Sequence, residues 1–185
     1  MQLVRPALQH LSSYVAALEQ GWSADNTRGV AAAREELEQI HADAEAFLAG
    51  MEDREAKGPP VTLPDGSVVA RLPGFRRWLW DGEFSGSIGF RWQPGTADLP
   101  PHCIGHIGYA VVPWKQGKGY ATAALRLMLP EARALGLPYV EITTDPLNLP
   151  SQCVIEAAGG VLHEAFTKPS QFGGNPGLRF RIALL

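Results

Sequence analysis

Gly105-His106-Ile107-Gly108-Tyr109-Ala110-Val111-Val112-Pro113-Trp114-Lys115-Gln116-Gly117-Lys118-Gly119-Tyr120-Ala121 is the stretch that decides the reading of this chain. Its first half is strand-like and stops at Pro113. A tight loop with Gly117 and Gly119 follows, and a helix starts at once. The first amides of a helix have no internal acceptors and carry a partial positive charge. The two glycines let that backbone come close to a ligand, and Lys118 adds a side-chain charge. The segment is therefore suited to a phosphate or pyrophosphate. A nucleotide P-loop does not fit, because Lys118 is followed by Gly119 and Val112 stands where the first glycine belongs. A dinucleotide-binding turn fits poorly. Gly117 and Gly119 match it and Glu141 stands about where a ribose-binding acid belongs, but Thr122 replaces the third glycine and four residues separate the strand end from Gly117. An ordinary strand-to-helix turn, with glycines for packing, stays open at this point.

The rest of the chain is read outward from this stretch. A helix is predicted over 119–135, with Ala121, Leu125, Met128, Ala132 and Leu135 on one face. Pro130 inside it removes the amide that would bond the Arg126 carbonyl and predicts a bend. Tyr139–Thr144 reads as a strand, 151–158 as a short helix stopped by Gly159-Gly160, and 161–166 and 178–184 as strands around a Gly/Pro-rich loop at 168–177. Upstream, strands are predicted at Gly74–Trp80, 83–92 and 103–112. Asp81-Gly82 marks a hairpin between the first two, and 93–101 forms a longer connection. Lys57-Gly58-Pro59-Pro60 and Leu63-Pro64-Asp65-Gly66 are turn chemistry. A first strand at 2–5 is stopped by Pro6. Helices at 7–20, ending at Gly21, and at 27–48, capped by Thr27 and closed by Gly50, complete the order. The order predicts an α/β fold, a mixed and mostly antiparallel twisted sheet with helices on both faces. One domain is expected over 1–185, with an N-terminal strand and helical pair in 1–56 and the sheet and ligand-binding core in 57–185.

The 185 residues are 45% hydrophobic and 19% charged with a net charge of −3, an ordinary globular balance without overall attraction to nucleic acid or an anionic membrane. Cys103 and Cys153 are far apart and form no CxxC pair. Neither a disulfide framework nor a metal site is expected, and a reducing cytoplasm is. No apolar run approaches the ~18 residues of a membrane span.

Gln116-Gly117-Lys118-Gly119-Tyr120-Ala121 resembles the Gln/Arg-x-x-Gly-x-Gly/Ala loop of the GNAT superfamily of N-acetyltransferases, which holds the pyrophosphate of acetyl-coenzyme A. The strand up to Val112 and Pro113 resembles the one whose backbone pairs with the pantetheine arm. Tyr139–Thr144 resembles the next strand, which splays away to admit that arm. Asn148-Leu149-Pro150-Ser151-Gln152-Cys153-Val154-Ile155-Glu156-Ala157-Ala158-Gly159-Gly160 resembles the family's Asn-x-x-Ser…Glu-x-x-Gly-Gly helix. The resemblance runs from about Trp78 to the end, and the N-terminal helices fit in general position only. It implies the GNAT acyl-CoA N-acyltransferase fold, acetyl-CoA as co-substrate and no metal. It places the cofactor against Ala110, Val111, Val112, Gln116, Gly117, Lys118, Gly119, Tyr120, Ala121, Asn148 and Ser151, and makes the helical pair a substrate lid. The implied reaction is acetyl transfer to a primary amine of a small molecule. Transfer to a protein or peptide amino group is the alternative within the enzyme class. A non-catalytic acetyl-CoA-binding module is the alternative outside it, because Ile155 stands where many members carry a tyrosine acid. A homodimer through the C-terminal strands is expected by analogy of fold.

Direct transfer needs a base for the amine, a donor to the carbonyl oxygen and an acid for the leaving thiolate. The resemblance makes the Val112 amide the oxygen's donor. His106 is the first candidate for the base. Strand alternation puts it on one face with Gly108, Ala110 and Val112, and an unperturbed His titrates near ~6.5. Its alternative is a structural histidine bonded to neighbouring backbone. Glu83 and His102 are lesser candidates. Ser151 is the candidate acid or a helix cap, with the cap preferred. Asn148 holds the cofactor or shapes the turn after Pro146. Tyr109 is expected in the core on the opposite face. Trp22, Trp78, Trp80, Trp92 and Trp114 are expected to pack rather than to form a substrate box. The two cysteines are expected to be small buried hydrophobes.

Overall fold

A computed structural model describes residues 1–63 and 65–184. The chain opens with the strand Gln2–Val4 (β1) and the helix Leu8–Glu19 (α1). The helix predicted at 27–48 is two, Val30–Ala42 (α2) and Ala44–Ala49 (α3). Asp43 adopts an extended backbone, φ −161° and ψ 96°, and its carboxylate accepts from the Ala46 amide. It therefore caps a new helix instead of continuing the old one. Asp25, not Thr27, organises the approach to α2, since its carboxylate accepts from the amides of Thr27 and Arg28.

Three two-residue strands follow, Glu52–Asp53 (β2), Val61–Thr62 (β3) and Val68–Val69 (β4). β3 and β4 pair across the turn expected at 63–66, of which Pro64 lies outside the described residues. The central strands are Gly74–Trp80 (β5), Phe84–Arg91 (β6) and Ile107–Val111 (β7). After a 3-10 turn at Pro113–Lys115 come the helix Tyr120–Ala134 (α4), the strand Tyr139–Thr144 (β8), the helix Leu149–Ala157 (α5), and the strands Val161–Thr167 (β9) and Pro176–Ala183 (β10). α4 passes through Pro130, which is exposed.

The strands form two main antiparallel sheets. One runs β1-β5-β6-β7, with β2 also on β5, and the other runs β8-β10-β9. Helices cover both faces, as alternation requires of strands buried on two sides. Phe75, Leu79, Ile88, Phe90 and Ile107 pack against Leu125 and Met128 of α4. On the opposite face Trp78, Phe84 and Val112 pack against Tyr14, Leu18 and Trp22 of the N-terminal segment. Trp22, Trp78 and Trp92 are thus core, whereas Trp114 is exposed. Cys103 is buried and Cys153 is exposed, so the expectation of two buried cysteines holds for the first only. No helix among the described residues is long and apolar enough to cross a membrane.

A charged cluster fastens the outer edge. Arg77 of β5, with 7% of its side chain exposed, bonds Glu52 at 3.3 Å and approaches Glu131 of α4 at 3.4 Å, and its guanidinium lies over the Phe75 ring. Glu52 also accepts from Arg5 and Arg54, each at 2.7 Å. Burial raises the Glu52 pKa, but hydrogen bonds from Arg5 and Arg54 and the nearby charge of Arg77 outweigh it and hold the group down to about 2. A carboxylate depressed in the folded state stabilises fully above its unfolded pKa, and that contribution is lost as pH falls through the folded value. Glu52→Gln should therefore lower stability at pH 7 by about 1–3 kcal/mol, because Arg77 loses a charged partner. The deficit relative to the unmodified chain should shrink between pH 4.5 and 2. Thermal unfolding at a series of pH values checks both.

Candidate active site

The two sheets meet at one residue. The His106 amide donates to the Glu141 carbonyl of β8 at 2.8 Å, and the Glu141 amide donates back to His106 Nδ1 at 2.9 Å. The His106 carbonyl accepts from the Arg91 amide of β6 at 2.9 Å. His106 is thus bonded to both sheets and completely buried. Because 103–106 is occupied in this crossing, β7 starts at Ile107 rather than at Cys103. Beyond it β7 and β8 share no ladder, so each leaves toward the other an edge that its partner does not pair, and the cleft is the space between these two edges.

The pairing of β7 with β6 determines which backbone groups face the cleft. Arg91 donates to His106 and Val112 donates to Ser85 at 3.1 Å, and the register between them is regular. In an antiparallel pair only alternate residues exchange hydrogen bonds with the partner. Gly108, Ala110 and Val112 therefore point their backbone groups at β6, and Tyr109 and Val111 point theirs at the cleft. The parity bears on two expectations. Of Ala110, Val111 and Val112, expected to line the cofactor on this strand, Val111 turns its amide away from β6, while Ala110 and Val112 turn their backbone groups toward it. The Val112 amide, expected to serve a carbonyl oxygen, is already used by Ser85. Among the described residues no backbone acceptor meets the amides of Tyr109 and Val111. The Val111 carbonyl accepts from Gln116 Nε2 at 3.2 Å.

The glycine loop follows β7 and its 3-10 turn and leads into α4. Gly117 and Gly119 both have φ +74°, a left-handed conformation that glycine adopts without strain. A Cβ at either would meet nothing within 4 Å, so it is conformation and not crowding that calls for glycine. The first backbone bond into α4 comes from Ala123 to the Gly119 carbonyl. The amides of residues 117–122 have no protein acceptor among the described residues. They form a run of outward donors at a helix N-terminus, an arrangement suited to an anion. Gln116, Gly117, Lys118 and Gly119 are all exposed.

Two residues of this loop act as its mounting, a role the sequence did not suggest. Lys115 is buried, and its ammonium contacts Asp81 at 2.5 Å, Glu83 at 2.8 Å and Ser85 Oγ at 3.2 Å. Tyr120 donates to the other oxygen of Asp81 at 2.7 Å. The Asp81 carboxyl is held well below its ordinary range, first by the Lys115 hydrogen bond. The Asp81-Gly82 turn, legible only as a hairpin, thus pins the loop. Glu83 belongs to this clamp, and the Tyr120 ring is held by Asp81 while its amide stays without a protein acceptor.

α5 follows β8 and reaches Tyr109 of β7. Asn148 is its N-cap, with Oδ1 accepting from the Ser151 amide at 3.1 Å. Ser151 therefore does not cap the helix. Its Oγ lies 3.0 Å from the Tyr109 hydroxyl, which also reaches the Ser151 carbonyl at 3.3 Å. Tyr109 does pack against the core beneath α4, but its hydroxyl crosses to α5. Burial pushes its phenol pKa up. Ile155 is completely buried and offers no proton.

A family model, the acetyltransferase (GNAT) domain, matches residues 34–161. The chain belongs to this family and is an N-acetyltransferase. No curated protein matches the sequence. Among solved structures, the microcin C7 self-immunity acetyltransferase MccE, in complex with acetyl-CoA and AMP, is 15% identical, with a TM-score of 0.59 over 98% of this chain and 91% of its own. RimJ of Mycobacterium smegmatis, in complex with CoA-disulfide, is 17% identical, with a TM-score of 0.59 over 98% of this chain and 80% of its own. At these identities the likeness is one of fold.

His106 provides a test of the vertex. Burial lowers its pKa to about 4, so it stays neutral at pH values where an unfolded His is already protonated. A depressed His means that the unfolded state binds more protons between about 6.5 and 4, so stability falls as pH drops through that window. NMR titration of the ring should show no protonation between pH 8 and 5. His106→Ala should cost about 1–3 kcal/mol by leaving the Glu141 amide without its acceptor.

Proposed function

We propose that the cleft between β7 and β8 binds acetyl-CoA and passes its acetyl group to an amine of a small molecule. The observation that carries this reading is the edge of β7. The unpaired amides of Tyr109 and Val111 lead toward the run of unpaired amides at 117–122. An extended chain that carries amide groups and ends in a pyrophosphate matches that order of donors. Acetyl-CoA, when bound, supplies the activated acetyl group. The two solved neighbours, which hold acetyl-CoA and a coenzyme A disulfide, support the choice of cofactor.

In this reading the residues 117–122 bind the pyrophosphate and Lys118 adds its charge. The amide of Tyr109 or Val111 donates to the acetyl carbonyl oxygen, where negative charge develops as the amine attacks. The Tyr109 hydroxyl, oriented by Ser151, gives its proton to the departing sulfur. The N–C bond forms as the C–S bond breaks, the amine's surplus proton leaves to water over the exposed Gly108, and water returns a proton to the Tyr109 phenolate. His106 holds the strands in place instead of acting as the base. Asn148 sets α5, and α1 and α2 form the lid over the acceptor. The two free cysteines are consistent with a reducing, cytoplasmic setting. The exposed outer strand β9 supports pairing with a second copy.

Acetyl-CoA at about 100 times its Kd should stabilise the chain by roughly 2.7 kcal/mol, while adenine dinucleotides should not. Tyr109→Phe should lower kcat by roughly 10²-fold at nearly unchanged KM for acetyl-CoA, as expected of a proton donor. Ser151→Ala should have a smaller effect in the same direction. A Tyr109→Phe enzyme with full kcat would remove the phenol from the mechanism.

A further inference from the structure

The face of β7 turned toward the N-terminal helices carries Gly108, which is exposed, and Ala110. Gly108 pairs laterally with Gly89 of β6, and Gly89 with Arg76 of β5. With no side chains on the two glycines, this row is a trough. It leads from β7 into a cavity of about 480 Å³ between α2 and the sheet, which Arg76, Gly89 and Arg91 help to line.

Charge in this cavity is unequal. Arg28, Arg71, Arg76 and Arg91 face Glu35, Glu36 and Asp53, four cations against three anions. The anions are already engaged. Glu35 holds Arg28 at 2.8 Å, Glu36 faces Arg76 at 3.6 Å, and Asp53 accepts from the amides of Lys57 and Gly58 and faces Arg71 at 4.0 Å. Arg91 is the cation left over, with no carboxylate within 4.0 Å among the described residues. Its titratable neighbours are the Cys103 thiol and the His106 ring. Both are neutral at pH 7, the first raised by burial and the second lowered by it. The guanidinium lies over the trough, since a Cβ on Gly108 would stand 3.7 Å from Arg91 Nη2.

We propose that the acceptor is an amine carrying its own carboxylate or phosphate, and that Arg91 binds this anion over Gly108 and so aims the amine at the cleft. The inference rests on reading the β7 edge as the acetyl-transfer site. Consecutive Cα atoms are about 3.8 Å apart, so an anion over Gly108 sits roughly one to two residue lengths from the free amide of Tyr109. An amine a few bonds from its anionic group spans that distance. Guanidinium presents a planar fork that matches carboxylate and phosphate oxygens in pairs. The same surplus charge repels a polycationic amine and gives selectivity against it.

Matched probes test this: phosphoethanolamine against ethanolamine, and β-alanine against β-alaninamide. Each is titrated into the chain saturated with coenzyme A, and each is assayed for thiol release with acetyl-CoA. The anionic member of each pair should bind at least about tenfold more tightly and be acetylated in preference. Arg91→Gln should abolish the preference while coenzyme A affinity stays within about twofold. Arg91 is exposed, so this variant should fold. Gly108→Val, which fills the place of the guanidinium, should have the same effect, and Arg91→Lys should restore part of the preference. Equal or tighter binding of the neutral members, no binding of the anionic ones, or an unchanged preference in Arg91→Gln would overturn the proposal while leaving the cofactor site intact. Failure of the unmodified chain to bind coenzyme A would overturn the reading of the cleft, and this proposal with it.

Discussion

His106 exchanges two hydrogen bonds with the Glu141 backbone, and the rest of the site depends on where that exchange occurs. A ladder that continued from this point would pair β7 with β8 along their length and use up the amides of Tyr109 and Val111. The contact is instead limited to one residue, and the imidazole takes the place of a backbone acceptor. Gly105 lets the chain pass close to β8 here, since a Cβ on it would lie 3.4 Å from the Glu141 carbonyl and the Thr143 amide. The strands then diverge and leave an unpaired edge inside the fold. Such an edge is a liability unless something covers it. Here it is shielded by α5 on one side and stands ready to pair with an extended ligand, as in β-strand addition.

Position along β7 then separates the tasks. Residues whose backbone faces the cleft, Tyr109 and Val111, have side chains under α4. Residues whose backbone faces β6, Gly108 and Ala110, have their side-chain positions toward the N-terminal helices, on the proposed acceptor side. In the proposed reading, cofactor and acceptor therefore meet the same strand from different directions. Gly86 keeps the neighbouring strand close, because a Cβ there would fall 2.3 Å from the Ala110 carbonyl. The Asp81–Lys115–Tyr120 cluster fixes the anion loop to the tip of the β5–β6 hairpin. The edge and the loop are thereby held on one rigid body, a requirement for placing a thioester within reach of an amine.

Much of the frame was legible in the sequence. The apolar periodicity of α4, the Asp81-Gly82 turn, the strand ending at Pro113 and the paired glycines all correspond to local preferences that tertiary contacts do not overrule. The details that decide chemistry were less legible because they depend on hydrogen-bond parity and on partners distant in sequence. His106 has the residue type of a base, but its environment is set by Glu141, 35 positions away. Ser151 has the residue type of a cap, but Asn148 occupies that place and frees the serine for Tyr109. The break of the second helix at Asp43 overrode an apolar stripe that continues on both sides of it. Arg91 and Lys115 carried no motif at all, and only packing reveals that one lacks a counter-ion while the other has two.

Amide hydrogen exchange, read residue by residue with and without saturating coenzyme A, addresses the central claim that an unpaired strand edge holds the cofactor. The Tyr109 and Val111 amides should exchange readily in the free chain and become protected on binding. Those of Gly108, Ala110 and Val112, already bonded to β6, should be protected throughout. Protection of Tyr109 and Val111 before coenzyme A is added, or no change at them when it binds, would contradict the account.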